Sequence, residues 1–151
     1  MIQTKSAHPS SAGFAGRATP EPCSLVIFGA TGDLTHRKLI PALYNLAADG
    51  DLPRGMQVIG FARRDKTDEV FRQELEAAAK KFSRRPIDQT LWGTFASSIC
   101  YHRSEFGDLE GYRRLRERLD RLDEKKEGTG NRLFYLSAGP DQFDNILTHL
   151  N

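Results

Sequence analysis

Cysteine is scarce in this chain and long apolar runs are missing. The two cysteines, Cys23 and Cys100, form no C-x-x-C pair, which removes the common zinc-ribbon and thiol-redox arrangements. They read as reduced thiols, buried or half-buried, in a cytoplasmic protein. No apolar stretch approaches the roughly 20 residues that cross a bilayer, so no membrane span is expected. Excess charge of one sign is also lacking: a formal net charge of +2 gives no support for a nucleic-acid partner. The glycine-rich turn described below is not followed by Gly-Lys-Ser/Thr, which sets aside a phosphate-hydrolysing P-loop. No metal site is expected.

What is present describes one globular domain. In 151 residues, 38% are hydrophobic and 28% charged, enough to build one core and too little chain for two ordinary ones. Met1 to Pro22, rich in Ser, Ala, Gly and Pro, reads as a disordered tail without the 7–15-residue apolar core of a secretory signal. The structured domain is expected over residues 23–151.

Its organising stretch is Leu25 to Lys38. Leu25-Val26-Ile27-Phe28 fits a strand buried on both faces, and Gly29-Ala30-Thr31-Gly32 then turns straight into helical periodicity. A turn of this kind leaves the first helix amides unpaired at the open end of a sheet, where a pyrophosphate can accept them. Gly29 permits the sharp turn, and Gly32 lets phosphate approach backbone without meeting a Cβ. The helix carries Leu39, Ile40, Leu43, Leu46 and Ala47 on one face, with a kink or loosening expected at Pro41 and a Gly50 cap at its end.

Met56 to Ala62 is the second strand, and Arg63-Arg64 follow it. In a doubly wound sheet the end of this strand meets the adenosine ribose, where an acidic residue would select NAD. A guanidinium at Arg63 would pair with a 2′-phosphate, hence NADP, with Thr31 adding a hydroxyl contact and Arg64 stacking on adenine; a solvated basic turn is the alternative at this point. Thr67 caps a helix burying Val70, Phe71, Leu75, Ala78, Ala79 and Phe82; Asp88 caps a shorter one in which Trp92 belongs to the core. Ile99 to His102 is a short strand whose exit loop brings Ser104, Glu105 and Phe106 toward the cofactor crevice. A charge-mixed helix with Leu109, Tyr112, Leu115, Leu119 and Leu122 on one face leads to a loop, Glu127 to Asn131, and a strand, Arg132 to Ser137, with Pro140 opening the final helix. Strands alternating with helices define the class: α/β, a Rossmann-like, doubly wound and mostly parallel sheet with helices on both faces.

The run Gly29-Ala30-Thr31-Gly32-Asp33-Leu34-Thr35-His36-Arg37-Lys38-Leu39-Ile40-Pro41-Ala42-Leu43 resembles the signature of the glucose-6-phosphate dehydrogenase family, G-A-[ST]-G-D-L-A-x-[KR]-K-[LI]-x-P-x-L, with Thr35 standing where the family generally has alanine. Phe61-Ala62-Arg63 is similar to the family's second-strand ending, whose arginine lies on the 2′-phosphate. Asp108, Tyr112 and Leu115 keep step with a further family pattern that begins at Tyr101. Asn131 to Pro140 resembles N-R-[LI]-F-Y-[LM]-[SA]-x-[PA]-P, which implies a backbone turn at Ala138 and Pro140 against the nicotinamide half of the cofactor; Gly139 departs from the family's Pro or Ala. The resemblance therefore implies NADP held by Gly29, Ala30, Thr31, Gly32, Asp33, Leu34, Thr35, His36, Arg63, Arg64, Ser104, Glu105, Ala138 and Pro140. Asp33 is expected to cap and orient the turn, and Lys38 to point toward the sugar phosphate. A lysine common in the family is replaced by Thr148.

For the parent protein the resemblance implies a cytoplasmic NADP-dependent dehydrogenase that oxidises glucose 6-phosphate to 6-phosphogluconolactone in the oxidative pentose phosphate pathway and acts as a homo-oligomer. Glucose 6-phosphate would bind through an α+β catalytic domain with an R-x-D-H-Y-L-G motif that this chain lacks. The chain stops at Asn151 inside a helical pattern with no cap or breaker, so the coenzyme domain reads as incomplete at its C-terminus. With no catalytic residue to name, the 151-residue chain is expected to be inactive alone. Two alternatives remain at this point: a reductase of short-chain type, disfavoured by the lack of a Tyr-x-x-x-Lys pair, and a non-enzymatic NADP-sensing or interaction domain.

Overall fold

In the computed structural model the described residues are 18, 20–125 and 130–151. The expected tail falls outside them except for Ala18 and Pro20 to Pro22, as do residues 126–129 of the loop before the last strand.

Four strands form one sheet, all parallel: β1 (Ser24–Phe28), β2 (Gln57–Ala62), β3 (Ile99–Arg103) and β4 (Arg132–Leu136), in spatial order β3-β2-β1-β4. The chain passes from β1 to β2 through α1 (Ile40–Asp49), and from β2 to β3 through α2 (Asp68–Phe82) and α3 (Gln89–Ser97). It then returns through α4 (Leu109–Lys125) to lay β4 on the other side of β1, and ends in α5 (Phe143–Leu150). The strand order reverses at β1, and in open sheets such a reversal opens a crevice beyond the carboxyl ends of the strands.

Alternate residues of β1 and β2 feed two cores. Leu25, Ile27, Val58 and Ala62 pack with Ile40, Tyr44, Phe71, Leu75, Trp92 and Phe95 from α1, α2 and α3. Val26, Phe28, Ile59 and Phe61 pack on the opposite face with Tyr112, Leu115, Leu119 and Ile146 from α4 and α5. Period-two alternation with apolar residues at both phases is what a sheet covered on both sides requires. Gly60 allows the close approach of α2, since a Cβ there would stand 2.5 Å from the Phe71 ring.

Caps behave as their side chains dictate. Thr67 accepts the Val70 amide at 3.2 Å, Asp88 accepts the Leu91 amide at 2.8 Å, and Gly50 closes α1 at φ +74°. Pro140 opens a single 3₁₀ turn, Pro140–Gln142, that runs into α5. The free edge of β3 is closed by side chains: Arg72 donates to the Ile99 carbonyl, Asp68 accepts the Tyr101 amide, and Arg118 donates to the Tyr101 carbonyl. Such capping blunts an edge that would otherwise offer itself to another strand.

Three helix faces differ from the sequence reading. A five-residue π turn, Thr35–Leu39, precedes α1; Leu39, Ile40, Leu43 and Ala47 pack on the core as expected, Pro41, Tyr44 and Asn45 are buried as well, and Leu46 is exposed. The loosening expected at Pro41 lies just before it, where Ile40 bonds back to the Thr35 carbonyl across five residues. Val70 and Leu109, in the first turns of α2 and α4, point to solvent instead of the core.

Candidate nucleotide-binding site

The site begins with a backbone knot at the end of β1. The Gly29 amide donates to the Phe61 carbonyl at 2.9 Å, and the Ser137 amide donates to the Phe28 carbonyl at 2.8 Å, so the exits of β1, β2 and β4 are tied side by side. Gly29 takes φ +82°, and a Cβ on it would stand 2.5 Å from the Ser137 carbonyl oxygen. Only glycine combines that dihedral with that neighbour. At Gly32 the nearest atom to an added Cβ is the Gly29 carbonyl oxygen at 3.1 Å. Beyond it the amides of Thr31, Asp33 and Leu34 have no backbone acceptor among the described residues. Unpaired amides at the start of a helix are what a phosphate group needs.

A crevice of about 460 Å³ opens above this knot. From the three strand exits it draws Gly29, Thr31 and Gly32, then Arg63, then Ser104, Glu105 and Phe106; the far wall is Ser137, Ala138 and Gly139, with Gln142 and Asn145 from the last helical segment. Arg63 and the pair Thr31–Gly32 thus line one cavity. Arg63 has no ion-pair partner among the described residues, although nine other cations in that set do. Phe106 closes the floor by stacking on Phe61, ring centres 6.0 Å apart.

Buried polar side chains hold the rim. The Tyr101 hydroxyl donates to the Arg64 carbonyl at 2.7 Å and so pins the turn that carries Arg63; burial pushes that phenol up, which keeps it a donor. His102 is buried against Phe61, and its Nε2–H donates to the Gly111 carbonyl at 2.8 Å, fixing the start of α4 behind the Ser104 loop. Burial holds the imidazole below its ordinary range, in the neutral form that makes this bond. Gly111 is itself required, because a Cβ there would overlap Ser104 Oγ. The fit to a dinucleotide therefore rests on three features: free helix amides, a Cβ-free approach and an unpaired guanidinium in the same cavity.

Several expected site residues turn their side chains elsewhere or do not line the crevice. Thr35 is fully buried beneath the turn, its hydroxyl 3.3 Å from Ser137 Oγ and 3.5 Å from the Gly29 carbonyl, so it braces the knot from below. Ala30 is likewise buried. Leu34 is exposed, and His36 turns its Nδ1–H back to the Gly32 carbonyl at 2.9 Å. Asp33, expected to cap the turn, instead holds Arg37 in an exposed ion pair at 2.8 Å, because the two are one turn apart on the helix surface. Arg64, Pro140 and the exposed Lys38 do not line the crevice, and Thr148 spends its hydroxyl on the Asp144 carbonyl at 2.7 Å. Ser137, Gln142 and Asn145 do line it and were not anticipated. Gln142 and Asn145 are three residues apart, the spacing of one helix face, and that was the signal available.

Both cysteines are free and half-buried, as the sequence reading expected. No helix among the described residues is long and apolar enough to cross a membrane.

Comparison with known proteins bears on this geometry. Residues 26–151 match the family model described as glucose-6-phosphate dehydrogenase, NAD binding domain. The chain is 50% identical over 133 residues to a glucose-6-phosphate 1-dehydrogenase of Chlamydia pneumoniae, covering 88% of this chain and 26% of that protein. It is 32% identical over 126 residues to the glucose-6-phosphate 1-dehydrogenase of Leuconostoc mesenteroides, covering 83% of this chain and 25% of that one. A solved glucose-6-phosphate dehydrogenase in complex with its substrate glucose 6-phosphate superposes with a TM-score of 0.78 at 31% identity, over 86% of this chain and 27% of that one. The chain spans about a quarter of the length of these relatives. Neither the short-chain reductase nor the stand-alone sensor is favoured by these matches. The parallel sheet, its glycine knot and the family match over 26–151 together show that the chain belongs to the glucose-6-phosphate dehydrogenase family, within its NAD-binding domain.

Proposed function

We propose that residues 23–151 bind NADP⁺ in this crevice, as the coenzyme domain of a protein that oxidises glucose 6-phosphate at C1 to 6-phosphogluconolactone. In that reaction the nicotinamide accepts the C1 hydride while a base removes the hydroxyl proton. This chain's part is binding and orientation. The free amides of Thr31, Asp33 and Leu34 take the diphosphate, Ala138 and Gly139 border the nicotinamide half, and Ser104 and Glu105 border the ribose. Lys38 is assigned toward the sugar phosphate, which the remainder of the protein would hold. The same reading takes the whole protein as a cytoplasmic homo-oligomer, on the strength of the family.

One observation carries the choice of NADP over NAD: where an acidic residue would meet a 2′-hydroxyl, Arg63 lines the crevice with no ion-pair partner among the described residues. A guanidinium can take a phosphoryl group bidentately, each charge-assisted bond contributing about 1.5–3 kcal/mol. Titration calorimetry of the purified protein with NADP⁺ and NAD⁺ tests this. NADP⁺ binds more tightly, and Arg63→Ala brings the two affinities together; equal affinities in the unaltered protein overturn the reading. The chain spans about a quarter of the length of its relatives, and the expectation that it forms no NADPH from glucose 6-phosphate by itself is checked by a coupled assay in which any NADPH formation refutes it.

A further inference from the structure

The end of β3 carries a second guanidinium beside the first. In the β2–β3 register Ala62 lies opposite Arg103, so Arg63 and Arg103 leave adjacent strands at neighbouring levels. Both line a further cavity of about 320 Å³, together with Ser104, Glu105, Asp108 and Arg114. That cavity adjoins the nucleotide crevice, sharing Arg63, Ser104 and Glu105 with it, and adds two more arginines, Arg103 and Arg114. Of these, Arg114 is 3.6 Å from Asp108, the residue before its helix, and Arg103 is 3.4 Å from Asp65, both partners of that second pair being largely exposed.

We propose that Arg103 is a second phosphate-recognising residue, joining Arg63 on the 2′-phosphoryl group, and that Asp65 is the anion it exchanges for the ligand. The proposal rests on the reading of the crevice as an NADP site. A dianionic phosphoryl group has three oxygens to satisfy, more than one guanidinium fork accepts, and a second fork arrives from the next strand without any backbone change. The Arg103–Asp65 pair is solvent-exposed and held at a long distance, so breaking it costs little. Ser104, the residue after Arg103, is fixed by Gly111 and Asp108, which sets where the Arg103 stem begins.

The two residues make opposite predictions. Arg103→Ala weakens NADP⁺ binding about five- to ten-fold, the loss of one partly exposed charged contact, and leaves NAD⁺ binding unchanged. Asp65→Asn tightens NADP⁺ two- to three-fold, again without effect on NAD⁺, because Arg103 is released from its competing anion. Calorimetric titration of both variants, and of Arg63→Ala and the Arg63→Ala/Arg103→Ala pair, is run at two salt concentrations. The slope of log affinity against log salt for NADP⁺ is shallower in Arg103→Ala. An unchanged NADP⁺ affinity in Arg103→Ala, with Arg63→Ala still abolishing the preference, overturns the role of Arg103 alone. Loss of affinity for both nucleotides in Arg103→Ala also overturns it, since that is the mark of a structural residue. Equal NADP⁺ and NAD⁺ affinities in the unaltered protein overturn the underlying reading instead.

Discussion

Substituting alanine at Gly29 separates what the turn needs for folding from what it needs for binding. The native φ of +82° costs an alanine about 1–2 kcal/mol. The new Cβ would also stand 2.5 Å from the Ser137 carbonyl oxygen and 2.9 Å from its carbon, both of them backbone atoms. Relief requires the exits of β1 and β4 to part, straining the 2.8 Å bond from the Ser137 amide to the Phe28 carbonyl, and overpacking of this kind costs about 1–3 kcal/mol. The sum, roughly 2–5 kcal/mol, is a large share of a small domain's stability and lowers the melting temperature by ~10 °C or more. Gly32→Ala is the contrast: its Cβ meets one oxygen at 3.1 Å at an ordinary dihedral, so stability falls by about 1 kcal/mol or less, while the added methyl stands where phosphate must approach. Urea unfolding followed by circular dichroism gives the first quantity and nucleotide titration the second. Equal stability losses in the two variants, or a Gly29→Ala cost below about 1 kcal/mol, would refute the account of the knot.

Removing the Thr35 hydroxyl as Thr35→Ala is expected to destabilise by about 1 kcal/mol, read as a small fall in melting temperature, because the buried link between the Gly29 carbonyl and Ser137 Oγ is lost; no change would show that these long contacts contribute nothing. Tyr101→Phe deletes the bond to the Arg64 carbonyl, and calorimetry should show NADP⁺ affinity falling a few-fold with NAD⁺ affinity unaltered, since the loosened turn bears Arg63 and not the diphosphate amides. Burial lowers the His102 pKa below its reference value of 6.5, so between the two values the unfolded chain binds more protons than the folded one. Stability is therefore full above pH 6.5 and declines as the pH falls toward the folded-state pKa. Urea midpoints measured from pH 8 to pH 5 show this decline, and His102→Gln, which retains an N–H donor for the Gly111 carbonyl, flattens it; an equal slope in the variant argues against His102 as the source.

Much of the fold was legible because the signals were local. A four-residue apolar run ending in glycine, threonine and aspartate caps three residues before the amides they accept, and a glycine followed by proline after α1 each act within one turn of chain. The inward face of α1 was legible in Leu39, Ile40, Leu43 and Ala47, which pack on the core, but Leu46 is exposed and Tyr44 and Asn45 are buried: counting every 3.6 residues from Leu39 presumes a regular start, and the π turn Thr35–Leu39 widens the face that is covered. Tyr44, almost fully buried and accepting the Asp88 amide on its hydroxyl, joins Leu43 on the core side. Val70 and Leu109 share a different cause. Each sits in a helix's first turn and keeps about half of its surface in solvent, 43% for Val70 and 52% for Leu109.

The site was legible where it follows one strand and obscure where it depends on two. Gly29, Thr31, Gly32 and Arg63 lie just beyond strands whose ends can be read from their own sequence, and strand ends face the crevice whatever the strand order. Ser137, Gln142 and Asn145 reach the same crevice only because β4 pairs with β1 and not with β3, a consequence of the long return through α4. Arg103 is the sharpest instance. Its significance lies in standing opposite Ala62, one residue before Arg63, and a pairing register between strands separated by two helices is not written in any short stretch of the chain. Its neighbour Ser104 cannot drift from this position, because Gly111 brings α4 into contact with it and His102, the next residue inward along β3, is bonded to the same Gly111. The second arginine is thus held by packing on the opposite face of the sheet from α1, so the diphosphate and the 2′-phosphate of a bound NADP would be gripped by elements belonging to different cores.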